Sequence, residues 1–366
     1  MARKLKYDRV LFTATLLLVC ASVVMVYSAS AVVALDRFQQ PYFFLTKQVL
    51  WTILGLAVLA VAMRIDYRTY RNEAFIWGVV GAVTVMLVAV LFGPAVNGTH
   101  RWFGIGGLGV QPSELAKVAC VLFTGLILER RMHRIDDPSY SLLPIALVVG
   151  LVVGLILLQP DFGTSMSLVV IVAMMVFAAG LPYRYFVGLI LVSLPAIYVV
   201  LVSASYRRRR LLAFWDPWAD PLGDGFQIIQ SLIAVGAGGV FGRGLMAGTQ
   251  KLFYLPEPHT DFIYAVIGEE LGLVGATAIL ICFCVIAWRG LRISIRAEDR
   301  FGAFIALGLT TMIAVQGFIN ISVVLGLLPT KGIPLPLVSA GGSSLLINLL
   351  GMGVLLNISQ HESVDA

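Results

Sequence analysis

The chain has 366 residues, of which 59% are hydrophobic and only 13% charged, about half the charged share of a soluble domain. That composition excludes a soluble globular protein. The net charge of +6 does not point to nucleic acid, because the basic residues sit in short loops between apolar runs.

Arg3, Lys4, Lys6 and Arg9 precede an apolar run at 10–31. The run is longer than a signal-peptide core and no clear cleavage site follows, so it reads as an uncleaved first span. Further spans are expected at 45–63, 74–92, 113–129, 141–158, 164–180, 186–204, 262–288, 303–326 and 344–360, each near the ~20 residues that cross a bilayer. The expected fold is all-α: one polytopic membrane domain over 1–366 with about ten transmembrane helices. An even count puts both termini on one side. That side holds 15 of the 26 Lys and Arg, mostly in short loops, so both ends are expected to be cytoplasmic. Cys20, Cys120, Cys282 and Cys284 fall inside apolar runs, without zinc spacing or a disulfide framework, and read as small buried hydrophobes.

The outward loops differ in kind. The loop at 93–112 carries Asn97-Gly98-Thr99-His100-Arg101-Trp102-Phe103. The large extracytoplasmic loop, about 205–261 between the seventh and eighth spans, opens on Arg207 to Arg210. It continues through Trp215-Asp216-Pro217-Trp218 to an amphipathic patch, Phe226 to Val235, which reads as a short interfacial helix. The loop at 327–343 holds Pro329-Thr330-Lys331-Gly332 and a turn through Gly341-Gly342-Ser343-Ser344. Functional groups concentrate on such loops, so the working face is expected outside the cytoplasm.

Asp261 heads the candidates, because it stands where a polar loop enters an apolar run. It reads either as a cap on the helix beginning near Phe262 or as a general base facing a membrane-embedded substrate. Glu114 and Lys117, at i and i+3, read as a structural ion pair or a polar cavity wall. Asp161, in a tight turn between two apolar runs, reads as a helix cap, and Glu270 as a helix-packing group. Arg101, Arg207 to Arg210, Arg243, Lys251 and Lys331 are the cations of the outer face. They suit lipid phosphates or a diphosphate substrate, and the turn at Ser343 could offer backbone amides to an anion. The four histidines are too scattered for a metal site, and no nucleotide-binding motif is present. No cofactor is evident, and the residues do not decide whether a divalent cation takes part. A lipid-anchored, anionic substrate at the outer leaflet is implied, and a sugar carried on a polyprenyl diphosphate meets each condition.

Phe214-Trp215-Asp216-Pro217-Trp218-Ala219-Asp220-Pro221, Gly225-Phe226-Gln227, Leu255-Pro256-Glu257-Pro258-His259-Thr260-Asp261-Phe262 and Leu328-Pro329-Thr330-Lys331-Gly332 together resemble the SEDS family (shape, elongation, division and sporulation). The resemblance extends over nearly the whole chain. It implies a ten-span peptidoglycan glycosyltransferase that polymerises lipid II, with a class B penicillin-binding protein supplying the transpeptidase. The family's essential acid matches Asp261, its outer-loop lysine matches Lys331, and its charged pair matches Glu114 and Lys117. Thr330-Lys331-Gly332 and Ile267-Gly268-Glu269-Glu270 resemble the division branch. Ile333-Pro334-Leu335-Pro336 is nearer the elongation branch, and Ala340 replaces a common tyrosine. The division type is the expectation: a bacterial inner-membrane protein at the septum, among other divisome membrane proteins. An inverting transfer is expected, with Asp261 as base and Arg101, Lys117, Arg210 or Lys331 stabilising the leaving diphosphate. A lipid II flippase and a recruiting scaffold are the rival readings.

Overall fold

The computed structural model describes residues 7–94, 99–105, 108–134, 137–185, 187, 188, 191, 195, 205–252, 254–330 and 332–361. Helix α1 (Arg9–Phe38) starts where Asp8 Oδ1 accepts the amides of Val10 and Leu11, both at 3.0 Å. Those are two of the donors that a helix start leaves unpaired. Helices α2 (Phe43–Ala62) and α3 (Glu73–Leu91) follow, the latter capped by Asn72. An antiparallel hairpin, β1 (Phe103–Ile105) and β2 (Leu108–Val110), leads into α4 (Pro112–Arg131). A single turn, α5 (Pro138–Ser141), precedes α6 (Leu143–Leu158) and α7 (Phe162–Ala178). Helices α8 (Ser205–Trp215) and α9 (Phe226–Gly238) occupy the large loop. Helices α10 (Ile263–Arg296), α11 (Arg300–Val324) and α12 (Gly342–Ser359) complete the chain.

The expected span at 186–204 lies almost entirely outside the described residues. Each of the others coincides with a helix. Among the described residues six helices, α1, α2, α3, α10, α11 and α12, are long and apolar enough to cross a membrane by length and composition. Helices α1 and α10 run about two turns past their expected ends, to Phe38 and Arg296.

Burial sorts the helices into layers. On α2 the buried positions are Gln48, Trp51, Thr52, Gly55, Leu59 and Ala62, and on α3 Ile76, Val80, Val83, Leu87 and Val90. That three-or-four spacing is a single stripe, and the remaining apolar surface faces outward, as lipid allows. Helices α4 and α11 are instead buried on nearly all sides and form the centre.

The first and last described segments meet. The amide of Asp8 donates to Ser359 Oγ at 3.0 Å, and its carboxylate pairs with Arg289 near the end of α10. At the same end the Tyr67 amide donates to Asn357 Oδ1 at 2.9 Å, and its hydroxyl donates to Asp299 at 2.6 Å. Arg71 pairs with Glu129 there at 2.7 Å. The N-terminal segment, the loops near 64–72 and 289–302 and the ends of α4 and α12 are therefore one physical surface.

One feature departs from the expected continuous helix at 262–288. Helix α10 is broken at Gly272, whose φ of 65° and ψ of −164° lie outside the helical region and suit only glycine. The backbone groups freed by the break are satisfied by the segment after α9. Arg243 and Gly244 donate to the carbonyls of Glu269 and Glu270, both at 3.0 Å, and Leu273 donates to Gly239 at 2.9 Å. The side chains reinforce this join. Glu269 accepts the Thr249 amide at 2.8 Å, and Glu270 pairs with Lys251 at 2.6 Å and accepts Ser28 Oγ. Glu270 is the packing group expected of it, and Lys251 is engaged with it inside the protein.

The expected amphipathic helix exists as α9. Its Ile228, Ile229, Ala234 and Gly238 are buried, Gly238 lies against the backbone of Gly268, and Ser231 donates to the Val324 carbonyl at 2.7 Å.

Candidate active site

Residues 254–262 climb to α10 without regular structure, so side-chain hydrogen bonds must hold them. Asn320 Nδ2, on α11, donates to the carbonyls of Asp261 at 2.8 Å and Ile333 at 2.7 Å. Ser339 Oγ donates to the Thr260 carbonyl at 2.6 Å, and the Ala340 amide to that of His259 at 2.9 Å. The buried ring of His259 packs on Phe44 of α2, with centroids 4.5 Å apart. Burial lowers its pKa, so the ring is neutral and structural. The acid-bearing loop is thus fixed from three directions.

Asp261 does not cap the helix that follows it. Helix α10 begins after Phe262 with no side-chain cap, and among the described residues no donor reaches the Asp261 carboxylate. That carboxylate lines a cavity of about 760 Å³. Its walls include Thr99, Arg101, Asp161, Arg210, Gln227, Glu257 and Thr330, with Phe162, Met166, Ile319, Val323 and Leu328 as apolar lining. A Cβ at Gly332 would stand 2.9 Å from Asp261 Oδ2, so glycine leaves the room the acid occupies. Burial, and then the charge of Glu257, push the Asp261 carboxyl up from 3.8 to about 7. Arg210 and Arg101 oppose that rise, and Asp161 adds to it. A carboxyl poised there can take a proton at neutral pH.

The other expected site residues divide. Arg101 and Arg210 both line the cavity, one from the segment before β1 and one from α8. Arg101 is held in place by donating to the carbonyls of Gln159 at 2.7 Å and Pro160 at 2.6 Å. Asp161 caps α7, as expected, and also accepts Gln111 Nε2 at 3.2 Å. Glu114 and Lys117 form a buried pair on α4 with both oxygens 2.9 Å from Nζ, and neither lines the cavity. Ser343 Oγ accepts the Gln111 amide at 3.3 Å, joining α12 to the hairpin, and is likewise set back from the cavity. Lys331 lies outside the described residues. Glu257 was not among the expected site residues, although an acid between two prolines in the same loop was a signal for it. Among the described residues no three such ligands are grouped to hold a metal ion.

A family described as cell cycle protein, covering FtsW, RodA and SpoVE, matches residues 8–364. A probable peptidoglycan glycosyltransferase FtsW of Geobacter metallireducens is 42% identical over 356 residues, spanning 97% of this chain and 95% of that protein. Stage V sporulation protein E of Bacillus subtilis is 43% identical over 361 residues, spanning 98% of this chain and 99% of that one. Among solved structures, a chain of a peptidoglycan synthase complex that coordinates polymerization and crosslinking superposes with a TM-score of 0.81 at 33% identity. It covers 99% of this chain and 100% of its own. Thermus thermophilus RodA superposes with a TM-score of 0.72 at 28% identity over 99% of both chains. On a match that runs nearly end to end, the chain belongs to the FtsW/RodA/SpoVE family of cell cycle proteins.

Proposed function

We propose that the chain is a division-type peptidoglycan glycosyltransferase that polymerises lipid II at the outer face of the bacterial cytoplasmic membrane, with Asp261 as general base. The observation that carries this reading is the Asp261 carboxylate, which neither caps the following helix nor accepts a hydrogen bond from the described residues, on the wall of the cavity that also receives Arg101 and Arg210. Relatives named for this activity over nearly the full length support it.

In the reaction, the 4-hydroxyl of N-acetylglucosamine on an incoming lipid II attacks C1 of the terminal N-acetylmuramic acid of the growing strand. The new C1–O bond forms as the bond from C1 to the diphosphate oxygen breaks, and an α linkage becomes β. Asp261 takes the hydroxyl proton, a contribution of ~10²–10⁴-fold. Undecaprenyl diphosphate leaves with the electron pair. Arg101 and Arg210, joined by Lys331, stabilise the charge gathering on it. The buried Glu114–Lys117 pair sets the rigid α4 wall behind the hairpin. One carboxylate is enough, because a single displacement forms no covalent sugar intermediate and the diphosphate, already a good leaving group, needs no general acid. The apolar lining gives the polyprenyl chains a path from the bilayer.

The partner in this reading is a class B penicillin-binding protein that crosslinks the strands, at the division septum, and the synthase complex among the structural neighbours supports it. The test is purified protein incubated with lipid II alone. Glycan polymer is the expected product; transbilayer scrambling without polymer would instead identify a flippase.

A further inference from the structure

Glu257 is a second carboxylate on the cavity wall, in the same loop as Asp261. Its backbone is left-handed, with φ 48°, although it bears a side chain and precedes a proline, and both features disfavour that region. Its carbonyl accepts the Thr260 amide at 3.2 Å, which makes it the first residue of a turn. A turn demands no positive φ at its first position, so the turn does not account for the conformation. Strain of this kind persists where the surrounding structure over-determines the backbone, and it clusters at functional sites; Glu257 is exposed and borders the cavity.

Among the described residues no cation forms an ion pair with Glu257. Asp161, the third acid at the wall, is already engaged by Thr164 and Gln111. The cavity therefore takes two disengaged acids from one loop and its two arginines from other segments. A diphosphate is drawn to the arginines and repelled by the acids, which leaves the acidic wall to a neutral, hydroxyl-rich group.

We propose that Glu257 binds the acceptor sugar by accepting hydrogen bonds from the hydroxyls that flank the one Asp261 deprotonates. The inference rests on the reading of Asp261 as the base. An ionised carboxylate only accepts, and it has two oxygens with which to do so. The 3-hydroxyl and the 6-hydroxymethyl of N-acetylglucosamine stand on either side of the 4-hydroxyl. Hydrogen bonds to an ionised acceptor are the strong ones, so a carboxylate at this point fixes the attacking oxygen toward Asp261. Its charge has a second effect, because it adds to burial in holding the Asp261 proton, against Arg210 and Arg101 and alongside Asp161.

The test compares full-length wild type, Glu257→Ala, Glu257→Asp and Glu257→Gly on lipid II and on analogues whose terminal N-acetylglucosamine is 3-deoxy or 6-deoxy. Wild type is expected to lose at least ~10-fold in kcat/KM on one analogue. Glu257→Ala is expected to lose a similar factor on lipid II and to treat that analogue and lipid II alike, while Glu257→Asp recovers part of both. Glu257→Gly relieves the positive φ, so it should melt no lower than wild type while sharing the activity loss, which separates contact from folding. With Glu257→Gln the acidic limb of the pH profile should move to lower pH. A wild type indifferent to both analogues, or a Glu257→Ala protein that discriminates as wild type does, would overturn the proposal. An inactive Asp261→Asn beside a fully active Glu257→Ala would sink this inference alone, whereas an active Asp261→Asn would sink the reading beneath it.

Discussion

Asn320 holds Asp261 by its backbone, donating from one amide nitrogen to the carbonyls of Asp261 and Ile333 at 2.8 and 2.7 Å. The side chain of the acid is left free for chemistry while its position is fixed from the buried helix α11. Asn320→Ala removes a buried donor from two carbonyls, at a cost of ~1–3 kcal/mol for each group left unpaired. The expected result is a lower melting temperature and a polymerisation rate that falls further than the stability loss explains. Unfolding curves measured beside initial rates check this, and an unchanged rate would contradict the fastening role.

The raised pKa of Asp261, to about 7, sets the pH dependence. A base works when deprotonated, so the rate should fall about tenfold per unit as pH drops below about 7. Stability runs in the opposite direction. The folded carboxyl binds its proton more tightly than the unfolded one, so its contribution is fully present below pH 3.8 and is lost as pH rises through about 7. Asp261→Asn should therefore melt at least as high as wild type at pH 8. Melting curves across pH 5–8 decide the matter.

The join between the broken helix and the segment after α9 depends on the buried Lys251–Glu270 pair, 2.6 Å apart. Lys251→Met strands a buried carboxylate and should cost ~3–5 kcal/mol. Adding Glu270→Gln should restore part of that loss, since the remaining group is neutral. A double variant no more stable than the single one, in urea or thermal unfolding, would contradict the pairing.

The legible parts of this structure were those written in local pattern. Apolar runs foretold most of the helices, and the contact of Asp8 with Ser359 agrees with an even number of crossings. Asp261 stood out because ionisable groups at a membrane border are costly. The break at Gly272 did not stand out, since a glycine inside an apolar run looks like any other tolerated helical glycine. Its cause is the distant segment Gly239 to Gly244, whose backbone bonds no local pattern encodes. Glu257, an acid between two prolines, was only partly legible for a related reason, because its left-handed backbone is visible only in three dimensions. Whether a charged pair lines a cavity or sits behind it, as Glu114 and Lys117 do, likewise depends on packing.

Orientation can be read with an impermeant thiol reagent on a cysteine-free background. Leu222, 89% exposed, belongs to the large loop, and exposed Arg134 lies at the end where Asp8 meets Ser359. Leu222→Cys should be labelled from outside intact cells and Arg134→Cys only after permeabilisation. The reverse pattern would place the cavity in the cytoplasm and remove the basis for lipid II at the outer leaflet.

The most direct test of the central claim is the polymerisation rate of purified Asp261→Asn protein on lipid II, measured beside its melting temperature. Asparagine keeps the size of the side chain, and no hydrogen bond from the described residues depends on the carboxylate, so the fold should persist. The account predicts a loss of at least ~10²-fold in rate with no loss of stability. A well-folded Asp261→Asn protein that still builds long glycan strands would contradict it.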